Sequence, residues 1–100
     1  MYDGQPGYVL KMQAKPGMGD VLFELTTNLH HTGDPDGPVD WALCRVEGEP
    51  DTLWAFEFYK DEESFTRHYS NPAHDAGHQQ VFDVLTGMPF RAKVHIVASS

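Results

Sequence analysis

One hundred residues make room for one domain, which at this size withdraws roughly 60–65% of its extended-chain surface from water. Apolar residues at 40%, with 12% aromatic, suffice for a core and exclude a disordered chain. The formal charge of −8 excludes a nucleic-acid binder, because the seven basic residues are scattered rather than clustered.

Cys44 is alone, so no intrachain disulfide forms and the chain suits a reducing cytoplasm. With no base beside it, Cys44 reads as a small core residue rather than a nucleophile. No apolar run approaches the roughly 20 residues of a membrane span, and MYDGQPG lacks the charged and apolar regions of a signal peptide. The expected location is the cytoplasm.

Residues 1–6 read as a loose tail ahead of a single domain over 7–98. From Tyr8 to Lys15, Tyr8, Leu10, Met12 and Ala14 alternate with Val9, Lys11, Gln13 and Lys15, which predicts a first strand. Pro16-Gly17 stops it. Val21, Leu22, Leu25 and Leu29 then recur at helical spacing over Gly19 to His31, with Asp20 suited to the helix start. His30 and His31 suit the negative end of that helix, and no further role is expected of them.

The segment HTGDPDGP (31–38) is rich in turn formers. Its Asp34 and Asp36, with Asp40, lack the remaining ligands and the closing Glu of an EF-hand, so a solvated loop is expected. Val39 to Val46 and Thr52 to Tyr59 predict a hairpin closed at Gly48-Glu49-Pro50-Asp51. A short helix from Asp61 to about Tyr69 follows, with Asp61 as N-cap. Asn71-Pro72 starts another to Leu85, Asn as N-cap and Pro where its missing N–H costs nothing. Gly87 and Pro89 end that helix, and Phe90 to Val97 closes as a fourth strand.

The order βαββ(αα)β is a split β-α-β arrangement, α+β and ferredoxin-like, with a four-stranded antiparallel sheet and its helices on one side. Strand three is apolar on both faces: Trp54, Phe56 and Phe58 on one, Leu53 and Ala55 on the other. An uncovered face that apolar calls for a partner, most simply a second copy packed sheet on sheet.

The residues that carry chemistry lie between Trp54 and His78. Glu57, flanked by Phe56 and Phe58, is either a desolvated general acid or base or a structural carboxylate paired across an interface. Tyr59 shares its strand face with Glu57, whereas Trp54 points the other way into the expected core. Phe65, His68 and Tyr69 share a helix face at i, i+3 and i+4. His68 suits a proton shuttle or a structural hydrogen bond. His74 and His78, at i and i+4, have a spacing compatible with one metal, but no Glu follows the first His as in the HExxH zincins and no carboxylate ligand is evident to accompany them, so no metal site is expected. Gly17-x-Gly19 lacks the rest of a dinucleotide fingerprint or P-loop.

Taken in order, Glu57-x-Tyr59, Asp61 or Glu62, Phe65, His68 and Asn71-Pro72-x-His74 resemble the core motif of the antibiotic biosynthesis monooxygenase (ABM) family. Lys15-Pro16-Gly17 resembles that family's turn after its first strand, and the likeness spans about residues 8 to 97. The resemblance implies a dimeric α/β barrel. Family members include cofactor-free oxygenases of anthrones and quinols, haem-degrading enzymes and a sugar-phosphate isomerase. Against the haem-degrading members, His78 falls near their iron-binding His, but Tyr59 stands for their Trp and Leu10 for their first-strand Asn. Haem degradation is therefore not expected.

The reading these residues and the resemblance imply is a cofactor-independent monooxygenase that oxidises a small aromatic, phenolic substrate with molecular oxygen. No flavin or metal is expected, and the partners are a second copy, the substrate and oxygen. His68, Tyr59 and Glu57 take the catalytic roles: proton transfer, substrate hydrogen bonding and positioning. Asn71, His74, His78, Phe23, Phe56, Phe65 and Phe82 bind the substrate or wall its pocket. The alternative is a non-catalytic dimeric module, or a haem-binding relative, holding a hydrophobic ligand in the same place.

Overall fold

The computed structural model describes residues 4–100, and the chain order is β1 (Pro6–Gln13), α1 (Gly19–His30), β2 (Asp40–Val46), β3 (Glu49–Phe58), α2 (Glu62–Ser70), a 3₁₀ turn (Pro72–His74), α3 (Asp75–Asp83) and β4 (Phe90–His95). The strands form one antiparallel sheet in the order β2-β3-β1-β4. This is the expected ferredoxin-like α+β topology. No helix among the described residues is long and apolar enough to cross a membrane.

The period of two in β1 and β3 sets the core. Leu10 pairs with Ala55 and Met12 with Leu53, so the inward residues of the two central strands lie side by side. Met12, Ala14, Leu53 and Ala55 pack against Leu22 of α1 and against Val81, Val84 and Leu85 at the end of α3. Gly77 allows α1 and α3 to close over this layer: a Cβ there would lie 2.5 Å from Leu29 Cδ2. Asp51 anchors the other end of α1 by accepting from the Gly17 and Gly19 backbone N–H groups at 3.1 and 2.9 Å.

The opposite sheet face carries Val9, Ala42, Trp54, Phe56 and Phe58, with Trp54 stacked on Phe56 at 6.4 Å and edge-on to Phe90 at 6.2 Å. No element among the described residues covers it. Two expectations change here. Trp54 belongs to this half-buried outer face rather than the core, and Cys44, paired with it in register, is exposed. Both follow from strand parity: even-numbered positions of β3 and their β2 partners point away from the helices.

Other differences lie at element ends. The expected loose tail falls partly outside the described residues. Within them Gln5 and Pro6 are buried, Pro6 pairing with His95 and Gln5 Nε2 donating to the Tyr59 carbonyl at 3.1 Å. The single helix expected over 72–85 is a 3₁₀ turn followed by α3, which ends at Asp83, so Met88 lies outside it and is 86% exposed. Pro72 and Asn71 favour a tight first turn, and the chain must bend after Asp83 to reach β4.

Candidate active site between helices and sheet

The helix-side face of the sheet and the helices above it enclose a cavity of about 300 Å³. That is at the lower end of the range for small-molecule sites. Its apolar walls come from Leu10, Met12, Ala55, Leu29, Val81 and Leu85, with Phe82, Met88 and Pro89 toward the mouth. Its polar groups fall into two sets on different elements.

The first set sits on the floor. Glu57, at an inward position of β3, is paired with His30 from the end of α1, the Glu57 Oε2 and His30 Nε2 atoms in direct contact. Both side chains are nearly buried, and the Trp41 ring lies 4.5 Å from the imidazole. His30 Nδ1 contacts the Thr26 carbonyl at 2.7 Å, and a carbonyl only accepts, so Nδ1 carries a proton. Burial alone would lower the His30 pKa, but hydrogen bonds to Glu57 and Thr26 and the Glu57 charge outweigh it and raise the value above 6.5.

Two phenols extend this set. Tyr59 is fully buried and its hydroxyl donates to the Tyr69 hydroxyl at 3.2 Å, which in turn makes a long contact of 3.5 Å to Glu57 Oε1. Burial and the Glu57 carboxylate push both phenols well above the ordinary tyrosine pKa, so they act as donors rather than phenolates. Tyr8, packed edge-on against Tyr69 at 5.0 Å, carries the Arg91 guanidinium over its ring at 4.9 Å, and Arg91 lines the cavity.

The second set forms a side wall. His68 of α2 and His74 of the 3₁₀ turn both reach one atom, Asp34 Oδ2, from Nδ1 at 2.8 Å and from Nε2 at 2.7 Å. The other carboxylate oxygen, Oδ1, accepts the Asp36 backbone N–H at 2.9 Å. Burial would raise the Asp34 pKa, but that N–H and the two histidines hold it down to about 2. Asp36 itself takes a two-pronged hydrogen bond from Arg67 at 3.1 and 2.9 Å, which ties the 31–39 loop to α2. His78 lies next along this wall, its ring 6.2 Å from His74, and burial lowers its pKa.

Each sequence-predicted residue therefore has a place. Glu57, His68, His74, His78 and Phe82 come together around the cavity. Tyr59 does not reach it; it is buried beneath Tyr69, to whose hydroxyl it donates, with its ring 5.3 Å from that of His68. Phe65 is buried behind the same phenols, 5.2 Å from Tyr59 and 5.0 Å from Tyr8. Three expected binding residues lie elsewhere. Phe56 points to the outer sheet face, Phe23 packs under Arg45 at 3.9 Å, and Asn71 is exposed with its side chain occupied by the Ala73 N–H at 3.0 Å.

Sequence reasoning missed His30, Asp34, Tyr69 and Arg91 as site residues. His30 carried a signal: it follows the buried Leu22 and Thr26 at steps of four, and so continues their face of α1. Asp34 carried none, since only folding brings its loop to α2. Its presence corrects the expectation that no carboxylate accompanies the histidines. At the places of the haem degraders' Asn and Trp, Leu10 lines the cavity with no polar side-chain atom to offer and Tyr59 is fully buried.

The fold and this half-open, apolar pocket with histidine–carboxylate pairs define an α+β domain of the ferredoxin-like class. Residues 7–80 match the family model described as antibiotic biosynthesis monooxygenase, and the chain belongs to that family. Among solved structures it is similar to SnoaB, a cofactor-independent oxygenase from Streptomyces nogalater, with a TM-score of 0.82 at 13% identity over 96% of each chain. It is also similar to a candidate antibiotic biosynthesis monooxygenase from Chloroflexus aurantiacus, with a TM-score of 0.79 at 20% identity over 96% of each chain. A protein of unknown function from Nitrosomonas europaea gives 0.78 at 19% identity, over 100% of this chain and 96% of that one. At these identities the likeness is one of fold. No curated protein matches the chain.

Proposed function

We propose that this protein is a cofactor-independent monooxygenase that oxidises a small, flat, phenolic substrate of the anthrone or quinol type with molecular oxygen. The observation that carries this reading is the Asp34–His68–His74 wall beside an apolar cavity. In neutral imidazoles, the hydrogen bonds to Asp34 place the protons on Nδ1 of His68 and Nε2 of His74. The second nitrogen of each ring is then free to accept a proton, with the carboxylate ready to stabilise the imidazolium that results.

In this reading His68 or His74 takes the substrate proton, and the resulting anion is electron-rich enough to reduce oxygen itself. The Tyr69 hydroxyl and Arg91 stabilise the phenolate oxygen, and the apolar walls keep water from the reacting carbon. For an anthrone, one oxygen atom becomes the new carbonyl at the former CH₂ carbon. The other leaves as water with the two hydrogens of that carbon. The solved relative described as a cofactor-independent oxygenase supports the reading through its shared fold.

The working unit is a homodimer closed through the outer sheet face of Trp54, Phe56 and Phe58. Light scattering should give twice the 11.3 kDa chain mass. The catalytic reading is tested by following oxygen uptake with an anthrone or a quinol against boiled protein. His68→Phe should lower turnover by roughly tenfold or more while an apolar substrate analogue still binds. Uptake no faster than the boiled control with both substrate types would overturn it.

A further inference from the structure

We propose that Asp34, His68 and His74 form a binding site for a divalent transition-metal ion of the zinc class, open on one side to the cavity. An ion held there occupies the same two imidazoles as the proton transfer above and leaves each ring's other nitrogen protonated, so ion binding and turnover exclude one another. Three side chains of the types that ligate zinc arrive from three separate segments: a loop, the end of α2 and the 3₁₀ turn. Their ligand atoms, Asp34 Oδ2, His68 Nδ1 and His74 Nε2, all lie within 4.8 Å of one another. Two imidazoles and one carboxylate with a fourth position free is a recurrent donor set for such ions.

The surroundings suit an ion as well as the ligands do. Asp34 cannot swing away, because its Oδ1 is held by the Asp36 N–H and Asp36 by Arg67. Such outer contacts orient a carboxylate ligand. The three side chains are 11–13% exposed, so the point they share is largely dehydrated, and two of them, His68 and His74, line the cavity. Without an ion, the two N–H groups bond to the carboxylate at 2.7–2.8 Å. Zinc–ligand bonds of about 2.0–2.2 Å set donor atoms roughly 3.3 Å apart in a tetrahedron, so binding needs the rings to retreat by about half an ångström. His68 and His74 line the cavity, from which a water would complete the shell.

Hydrogen bonding alone explains the contacts too, so the test must separate the two. Chelator-treated full-length protein is titrated with Zn²⁺ against a chromophoric zinc chelator, and separately with Co²⁺ while the visible spectrum is recorded. The expected result is one ion per chain, with cobalt bands of a four- or five-coordinate site. Asp34→Asn and His74→Gln should each weaken binding at least tenfold, while His31→Gln, outside the set, should leave it unchanged. If Asp34→Asn fails to fold, His74→Gln and the cobalt spectrum decide alone. Binding weaker than millimolar, a six-coordinate aqueous-type spectrum, or affinity unaffected by His74→Gln would overturn the proposal.

Discussion

The floor and the side wall of the cavity both join histidine to carboxylate, but in different proportions. On the floor one imidazole meets one carboxylate, His30 with Glu57, under the Trp41 ring and beside Tyr69. On the wall two imidazoles share a single carboxylate oxygen, and both imidazoles line the cavity. A one-to-one buried pair neutralises itself and has no spare valence, so it serves as scaffold and fixed dipole. A two-to-one set leaves the far nitrogen of each ring free to exchange a proton. In the proposed reaction, chemistry therefore belongs to the wall and preorganisation to the floor.

The strongest way to break this contrast is to remove Glu57. Glu57→Ala leaves His30 buried with its Nε2 proton unpaired, and the expected loss is about 3–5 kcal/mol in chemical denaturation. Replacing both partners, as in Glu57→Leu with His30→Leu, should cost far less, since the site then asks only for packing. A double variant as unstable as the single would show that the pair does more than satisfy itself.

Removing the wall carboxylate should cost less. Asp34→Ala deprives two imidazoles of their acceptor, but both border the cavity and can turn to water, so about 1–3 kcal/mol is expected. The same denaturation experiment measures it, and a loss matching that of Glu57→Ala would erase the distinction between scaffold and wall.

Stability against pH sharpens the comparison further. The folded pKa of His30 is raised above 6.5, so its pairing contributes fully below 6.5 and is lost as pH rises through the folded value. The melting-temperature advantage of the natural chain over the Glu57→Leu/His30→Leu variant should therefore shrink as pH rises above about 6.5. An advantage that grows over that range would mean the pair is held in its neutral form.

Local pattern made one half of this molecule legible and left the other dark. Alternation placed Glu57 of β3 and Tyr59 just beyond it on the inward face, and helical spacing placed Phe65 and His68 together. What period two could not say is depth: Tyr59 stands one step beyond Glu57 on the same face, yet Tyr69 folds over it and takes its place at the cavity. Aromatic character likewise did not specify direction, so Phe56 was grouped with the pocket although its parity sends it to the outer face. Asp34 depended on a contact between residues 34 apart in sequence, made by a loop whose composition says only that it turns.

The smallest effect expected concerns the caps that present the wall histidines. Asp61 caps α2, which carries His68, by accepting the Ser64 N–H at 2.8 Å. Asn71 caps only the 3₁₀ turn that carries His74, by accepting the Ala73 N–H at 3.0 Å, and it is exposed. A cap on a nine-residue helix secures more structure than one on a three-residue turn. Asp61→Ala should accordingly cost about 1 kcal/mol, and Asn71→Ala about 0.5 kcal/mol, at the low end for such caps. Because Asn71 stands outside the cavity, its loss should leave oxygen uptake within about twofold of the natural chain, well short of the effect of losing an acid–base group. A tenfold fall in turnover at unchanged melting temperature would instead assign the Asn71 amide to the substrate, and the wall would then extend beyond the two histidines and Asp34.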